Sequence, residues 1–190
     1  VLFRSATVYA TAGRDFKHEY LRSNGVTNIT SSRDCKVFRT AMQRMAKAQP
    51  GASTDQCRLD AVLNSLSHDE YIPASLAMLR PHGHFLEIGK VNVWAQQRMA
   101  AARPDVNYHM IAVDVQMIAD PAWMHEVLMD LTRRAAATAP YAIPLPLEIF
   151  DMRTQCVAAF QHLQHAKHIG KVVVTMRPSL TMHLGEEVSY

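Results

Sequence analysis

The sequence predicts an α/β fold with a mostly parallel sheet flanked by helices, and three observations predict it. Residues 60–63 and 84–88 are short apolar runs of strand length, and residues 71–79 between them carry apolar side chains at helical spacing. Pro81 and Gly83 are expected to end that helix. A strand, a helix and a strand within about thirty residues form a βαβ unit, so the two strands are expected to run parallel.

The chain before this unit repeats the alternation of strand and helix. Its first apolar run is β-branched and aromatic and ends at Gly13, and a later turn is expected at Gly25. The expected elements are a strand at 6–11, a helix at 15–23, a strand at 26–30, an amphipathic helix at 37–48 and a polar surface loop at 49–58.

The chain after the unit is less regular at first and then alternates again. Asp120 is expected to cap a helix that has Pro121 at its first position, and Asp114 is expected at the carboxyl end of the strand before it. The expected segments are an irregular stretch at 91–106, a strand at 107–113, a helix at 121–134, a linker at 135–140, an extended segment at 141–150, a helix at 153–165 and a strand at 171–175.

Composition excludes several classes of function. The 190 residues carry a net charge of +3 with no block of Lys or Arg, so we expect neither nucleic acid nor a membrane surface as a partner. No apolar run approaches the length of a membrane span, and no signal peptide is expected. Cys35, Cys57 and Cys156 are sparse and odd in number, which is typical of reduced thiols and favours a cytoplasmic location.

A spacing of three places His162, His165 and His168 near one face of a helix, where imidazoles could bind a metal ion. No Cys, Asp or Glu within that run completes a set of ligands. We therefore expect an exposed polar face and no metal site.

Candidate ligand-binding residues follow both strands of the central unit. Asn64 and Ser65 come after the first strand, and Gly89 and Lys90 come after the second. In parallel α/β sheets, ligands bind beyond the carboxyl ends of the strands. These residues are therefore expected to line one crevice.

The same unit carries a resemblance to a known family. The stretch DAVLNSLS, followed by ASLAMLRPHGHFLEIGK, resembles the enoyl reductase domain of modular polyketide synthases and animal-type fatty acid synthases, within the medium-chain dehydrogenase/reductase superfamily. The resemblance implies a Rossmann-type sheet, NADPH as cofactor, no zinc, and reduction of a 2-enoyl thioester held on an acyl carrier protein. It also implies other synthase domains as partners and a homodimer.

The resemblance implies roles for the crevice residues. Lys90 matches the position of the proton donor, and Asp114 matches its partner. A carboxylate that holds an ammonium favours the charged form of both groups. Asn64 and Ser65 match the loop that lines the nicotinamide half of the cofactor, and Gly89 lies beside Lys90 at the same strand end.

Cations at the ends of the first two strands favour NADPH over NADH. In a dinucleotide-binding fold this edge faces the adenosine ribose, and positive side chains there accept a 2′-phosphate. Asp15 lies within the cluster and opposes the argument, whereas the resemblance places a Lys at the position of Lys17. The candidate residues are Arg14, Lys17, His18, Ser32 and Arg33.

The resemblance begins only at the second strand of the family's nucleotide-binding domain. Gly13 is the first glycine, so the first strand and the Gly-rich turn that cradles the pyrophosphate are expected to be lacking, and the chain alone is expected to bind NADPH poorly. The expected organisation is an unassigned start at 1–5, a partial NADPH-binding domain at 6–140, a C-terminal return to the substrate-binding domain at 141–176, and a tail or linker at 177–190.

Two other functions stay open from the sequence. One is a quinone-oxidoreductase-like enzyme that reduces small free enones without a carrier. The other is a non-catalytic remnant that dimerises through the strand expected at 107–113, a reading that the lack of a Gly-rich turn favours.

Overall fold

The computed structural model describes residues 6–47, 59–66, 70–136 and 145–176. The chain divides into two compact units, Val1–Pro140 and Tyr141–Tyr190. Several expectations lie outside the described residues: the start at 1–5, the loop at 49–58 with Cys57, residues 137–140 of the linker, residues 141–144 of the extended segment, and the tail at 177–190.

The first unit begins with two parallel strands, each followed by a helix. They are β1 (Tyr9–Ala12), α1 (Asp15–Ser23), β2 (Asn28–Ser31) and α2 (Cys35–Lys47), and β1 pairs with β2. The Asp34 carboxylate accepts hydrogen bonds from two backbone N–H groups in the first turn of α2. This N-cap explains why the helix begins two residues earlier than its apolar periodicity predicts.

A second, three-stranded parallel sheet follows, with the strand order β3-β4-β5. Two crossover helices connect its strands, as expected for right-handed βαβ units. The elements are β3 (Leu59–Asn64), α3 (Tyr71–Met78), β4 (Leu79–Glu87), α4 (Gln96–Ala102) and β5 (Asn107–Met110).

The remainder of the first unit is helical, with α5 (Val113–Ala119) and α6 (Pro121–Ala136). The predicted cap of α6 is confirmed, because the Asp120 carboxylate accepts a hydrogen bond from the backbone N–H of Trp123. No helix among the described residues is both long enough and apolar enough to cross a membrane.

The second unit is a single βαβ arrangement. Its elements are β6 (Leu147–Asp151), α7 (Met152–Gln164) and β7 (Lys171–Thr175), and the two strands pair in parallel. Asp151 caps α7 by accepting hydrogen bonds from the N–H groups of Arg153 and Thr154, and these bonds, first of all that from Thr154, hold the pKa of Asp151 below its usual value. The assignment of this unit to a substrate-binding domain stays a prediction.

The core of the first unit lies on both sides of α3. Six of the eight residues of α3 are buried, so the helix is apolar nearly all round, as in a helix packed within a core. One side packs against Phe38 and Met42 of α2, and Tyr9 of β1 and Leu59 of β3 lie against the same cluster. The other side packs against residues of β4 and α4, including Phe85 and Met99.

The predicted α/β class with parallel, helix-flanked sheets is confirmed. Three predictions about elements are wrong. β4 does not begin after Gly83 but runs from Leu79 through Pro81, the stretch at 91–106 contains α4, and the segment after Met110 turns into α5 instead of extending β5. Among the described residues, β1–β2 and β3–β4–β5 also form separate sheets, where one sheet lacking its central strand was expected.

Candidate active site

The three strands of the larger sheet end side by side. Asn64 at the end of β3 is the register partner of Glu87 at the end of β4, which is in turn the partner of Met110 at the end of β5. The segments that follow these strands therefore leave the sheet at one edge. Ser65 and Lys90 lie on two of these segments.

Lys90 and Asp114 form an ion pair at this edge. Lys90 Nζ donates a hydrogen bond to Asp114 Oδ1 over 2.7 Å, and the two side chains are 61% and 62% exposed. The hydrogen bond from Lys90 lowers the pKa of Asp114, which favours the carboxylate. An exposed ammonium held in one place by a carboxylate is accessible to a bound substrate and is able to donate a proton.

Asp114 does not lie at the end of a strand, and that part of the prediction is wrong. β5 ends at Met110, and Asp114 lies in the first turn of α5. An acidic side chain suits that place, because the first turn of a helix presents unpaired N–H groups. The helix still directs Asp114 towards Lys90.

Asn64 directs its side chain into the protein. It is 4% exposed, its Nδ2 donates to Glu87 Oε2 over 2.7 Å, and its Oδ1 accepts from the backbone N–H of Leu66 over 3.3 Å. These two partners fix the orientation of the amide. Ser65 is exposed at the same strand end. Contact of either residue with a cofactor stays a prediction.

Glu87 belongs to this edge, although the sequence reasoning missed it. It is 2% exposed, and its Oε1 accepts a hydrogen bond from the backbone N–H of Gly89 over 2.6 Å. An acidic residue at an inward-facing position of an apolar strand is the signal that could have found it. Next to it, burial and then the Glu87 carboxylate raise the pKa of Tyr108, whose hydroxyl donates to the carbonyl of Trp94 over 2.8 Å.

A second group of candidate residues lies at the ends of β1 and β2. The side chain of Arg33 lies against Gly13, at the place that a Cβ atom of residue 13 would occupy. The backbone N–H of Ser32 donates to the carbonyl of Ala12 over 3.2 Å, and the N–H of Arg33 donates to Ser31 Oγ over 3.1 Å. These bonds hold the end of β2 beside the turn that follows β1.

The start of α1 supplies the other cations. Arg14 precedes the helix in extended conformation, and its carbonyl accepts from the N–H groups of Lys17 and His18. The His18 ring is turned to the backbone, where its Nε2 donates to the carbonyl of Ala12 over 2.9 Å. Arg14, Lys17 and Arg33 thus lie on the segments that follow β1 and β2, and their contact with the 2′-phosphate of NADPH stays a prediction.

The histidine cluster of the second unit is only in part the exposed polar face that was expected, because His165 is exposed but His162 and His168 are partly buried. His162 is partly buried, its Nε2 lies 2.6 Å from Glu148 Oε2, and its ring packs against the ring of Phe150. Within the described parts of the chain, no group of three or more His, Cys, Asp or Glu side chains could hold a metal ion.

A family model described as zinc-binding dehydrogenase matches residues 36–174. The polyketide synthase GfsB of Streptomyces halstedii is 36% identical over 177 residues, which are 92% of this chain but 3% of that protein. Zinc needs about four N, S or O ligands, and the described residues offer no such set, so they do not fit a zinc ion.

Two solved structures resemble the chain in sequence as well as in fold. The CurK enoyl reductase is 35% identical with a TM-score of 0.74, and the match covers 90% of this chain and 48% of that one. The CurF ER cyclopropanase from the curacin A biosynthetic pathway is 32% identical with a TM-score of 0.78, over 92% and 48% of the two chains. The chain thus spans about half the length of these structures.

Proposed function

The chain belongs to the zinc-binding dehydrogenase family, and we propose that it serves in the NADPH-dependent reduction of 2-enoyl thioesters in polyketide biosynthesis. The expected relationship to enoyl reductase domains of polyketide synthases is confirmed. The observation that carries the proposal is the Lys90–Asp114 ion pair at the carboxyl edge of a parallel sheet. At such an edge, a charged pair lies where a cofactor and a substrate meet.

The residues of this chain would supply the proton. NADPH, when bound, would supply the hydride for the β-carbon of the unsaturated thioester. The electron pair of the double bond then takes a proton from Lys90 Nζ at the α-carbon, which completes the saturated product. Asp114 holds the ammonium at the crevice before the transfer. Because Lys90 is 61% exposed, its amine regains a proton from water.

The remaining assignments follow from the same proposal. Arg14, Lys17 and Arg33 would contact the 2′-phosphate of NADPH. The enoyl chain would arrive on an acyl carrier protein, and other domains of a synthase would be its partners, since the similar GfsB is a polyketide synthase. A homodimer stays a prediction. Among the described strands, β5 is an edge that pairs with β4 alone.

A Lys90→Ala substitution tests the proton donor. In the full-length protein that contains this chain, we expect the rate of NADPH oxidation with a 2-enoyl thioester to fall by about 100-fold or more, the usual contribution of a general acid. Asp114→Asn should reduce the rate less, because the ammonium remains but loses its fixed position. Spectrophotometric turnover with carrier-bound and free pantetheine thioesters measures both effects.

Arg80→Ala is the matched control, because Arg80 also forms an exposed ion pair, with Asp60, away from the carboxyl ends of the strands. It should leave turnover unchanged. Unchanged turnover in Lys90→Ala would refute the assignment of the donor. A wild-type protein that reduces free enones but no thioester would favour the quinone-oxidoreductase-like reading, and one that reduces neither would favour a non-catalytic role.

A further inference from the structure

Glu87 is an acidic side chain that is almost completely buried, and the proposed chemistry does not use it. It is 2% exposed and lies at the end of β4, where the other buried residues, Leu79, Gly83 and Phe85, have no polar side chain. Removing a carboxylate from water is costly unless hydrogen bonds compensate for the lost hydration. A hydrophobic side chain would pack at this position without that cost.

Its compensating bonds reach two different strand ends. Oε2 accepts from Asn64 Nδ2 over 2.7 Å at the end of β3, and Oε1 accepts from the N–H of Gly89 over 2.6 Å beyond the end of β4. Both distances are at the short end of the range for N–H···O bonds, as is usual when the acceptor is a carboxylate. One side chain thus links the two segments that follow β3 and β4 at the carboxyl end of the sheet.

Backbone bonds extend this connection to the ion pair. The N–H of Ile88 donates to the carbonyl of Asn64 over 2.9 Å, and the N–H of Ile111 donates to the carbonyl of Glu87 over 2.8 Å. Lys90 directly follows Gly89 in the sequence, and Asp114 is three residues after Ile111. The segment that carries Lys90 therefore bonds to the Glu87 side chain, and the segment that carries Asp114 bonds to the Glu87 backbone carbonyl.

We propose that Glu87 is a positioning residue, which fixes the β3 and β4 ends so that Lys90 and Asp114 meet over the reacting carbons. This inference rests on the proposed reduction and adds the residue that sets its geometry. A chain segment that follows a strand is free to move unless it is bonded, and a shift of about 1 Å at a catalytic group costs on the order of 100-fold in rate.

The pair Glu87 and Asn64 allows a reciprocal exchange that separates position from fold. In Glu87→Gln, the new side chain has one acceptor atom where the carboxylate had two, so one bond is lost. Two N–H groups then face each other at Asn64 Nδ2, at the Gly89 N–H or, if the Asn64 amide turns over, at the Leu66 N–H. In the double variant Asn64→Asp/Glu87→Gln, the new amide donates to the new carboxylate and still accepts from Gly89. The new carboxylate also still accepts from the N–H of Leu66. All three bonds are therefore present, and only the bond between residues 64 and 87 has its polarity reversed.

Enoyl reduction and thermal unfolding are measured for the full-length wild type, both single variants and the double variant. We expect each single variant to lose about tenfold in kcat and the double variant to recover most of it. Recovery of the thermal midpoint without recovery of kcat would overturn the proposal, as would a Glu87→Gln protein that keeps the full kcat.

A readout that needs no activity separates this proposal from the proposed function. Amine acylation of Lys90, followed by mass spectrometry, reports the ion pair, because a paired ammonium reacts slowly. Glu87→Gln should speed labelling by up to about fivefold, the loss expected for an exposed pair, and the double variant should reverse this. The Asp114→Asn variant gives the labelling rate of Lys90 without its carboxylate partner. The labelling rate of Lys36 in the same samples serves as the internal control. Labelling of Lys90 that Glu87→Gln leaves unchanged overturns the positioning role, even if wild-type turnover is absent.

Discussion

Gly13 leaves room where the Arg33 side chain crosses the end of β1. A Cβ atom at residue 13 would collide with the Arg33 side chain and not with backbone, so the arginine could move aside. Arg33 is exposed, and its side chain occupies the space that a Cβ atom of residue 13 would need. We therefore expect a side chain at residue 13 to affect the position of Arg33 more than folding.

Gly13→Ala is expected to raise the KM for NADPH by about tenfold, on the order of one charged hydrogen bond, with little change in the KM for NADH. The reason is that the new methyl group displaces Arg33 from the 2′-phosphate. Steady-state kinetics of the full-length protein with both cofactors measure the change. In an Arg33→Ala background the same substitution should add nothing. Equal changes for NADPH and NADH would refute the assignment.

At the residue scale, the sequence indicated the two members of the ion pair but not Glu87, the residue that we propose positions them. The resemblance to enoyl reductase domains implied that Lys90 and Asp114 are partners, and the structure places Lys90 Nζ 2.7 Å from Asp114 Oδ1. For Glu87 the sequence offered one signal, an acidic residue within an apolar run, but its partner Asn64 is 23 residues away and could not be identified from that run. The burial of a carboxylate can be explained only when the residues that hydrogen-bond to it are known.

At the scale of elements, Arg103 joins the end of α3 to the start of β4. Its guanidinium donates to the carbonyls of Leu76 and Leu79 over 2.6 and 3.3 Å, and to both carboxylate oxygens of Asp105 over 2.8 Å each. The first carbonyl belongs to the last turn of α3, whose final carbonyl groups have no partner within the helix. Asp105 holds the guanidinium in the orientation that reaches both.

Because of this ion pair, the stability of the fold depends on pH in the acidic range. The hydrogen bond from Arg103 lowers the pKa of Asp105 from 3.8 to about 2. Because the folded-state pKa is depressed, the stabilisation is complete above the unfolded value and is lost as the pH falls through about 4 towards 2. In urea unfolding experiments, the free energy of unfolding should decline as the pH falls through that range. Asp105→Asn should remove the part of this pH dependence that comes from the Arg103–Asp105 pair. If the pH dependence in Asp105→Asn were the same as in the wild type, the proposed contribution of this ion pair would be refuted.

Element prediction succeeded where local pattern and packing agree. Helix α1 and strand β7 have the predicted bounds. It failed at β4, because Pro81 and Gly83 read as a helix stop followed by a turn, whereas they form a bulge in which His82 has a φ of 61°. It also missed α4, a helix of seven residues in which only Met99 is buried, since such a short helix depends on its tertiary contacts.

At the scale of the whole chain, apolar surface accompanies an unpaired strand. Among the described residues, β3 pairs with β4 alone, and Leu63 on β3 is 65% exposed. An edge strand with exposed apolar side chains is a template for association. We expect the 190-residue chain on its own to associate through this strand.

Leu63→Lys should lower that association, because a charge on an edge strand opposes pairing with a second chain. Static light scattering over a range of concentrations measures it. Ile118→Lys is the comparison, since Ile118 is 79% exposed but lies on a helix without unpaired strand edges. If both variants reduce association equally, general hydrophobicity rather than the edge of β3 is responsible.

The parallel pairing of neighbouring βαβ strands also bears on how the chain folds. Paired residues such as Tyr9 and Asn28, or Leu147 and Lys171, are separated by only about twenty residues of chain. The entropy of closing such a loop rises slowly with its length, by about 0.6 kcal/mol for each doubling. Each pair of strands can therefore form with only the crossover segment between them and needs no residues from distant parts of the sequence. The contact order of the described sheets is consequently low for a parallel fold.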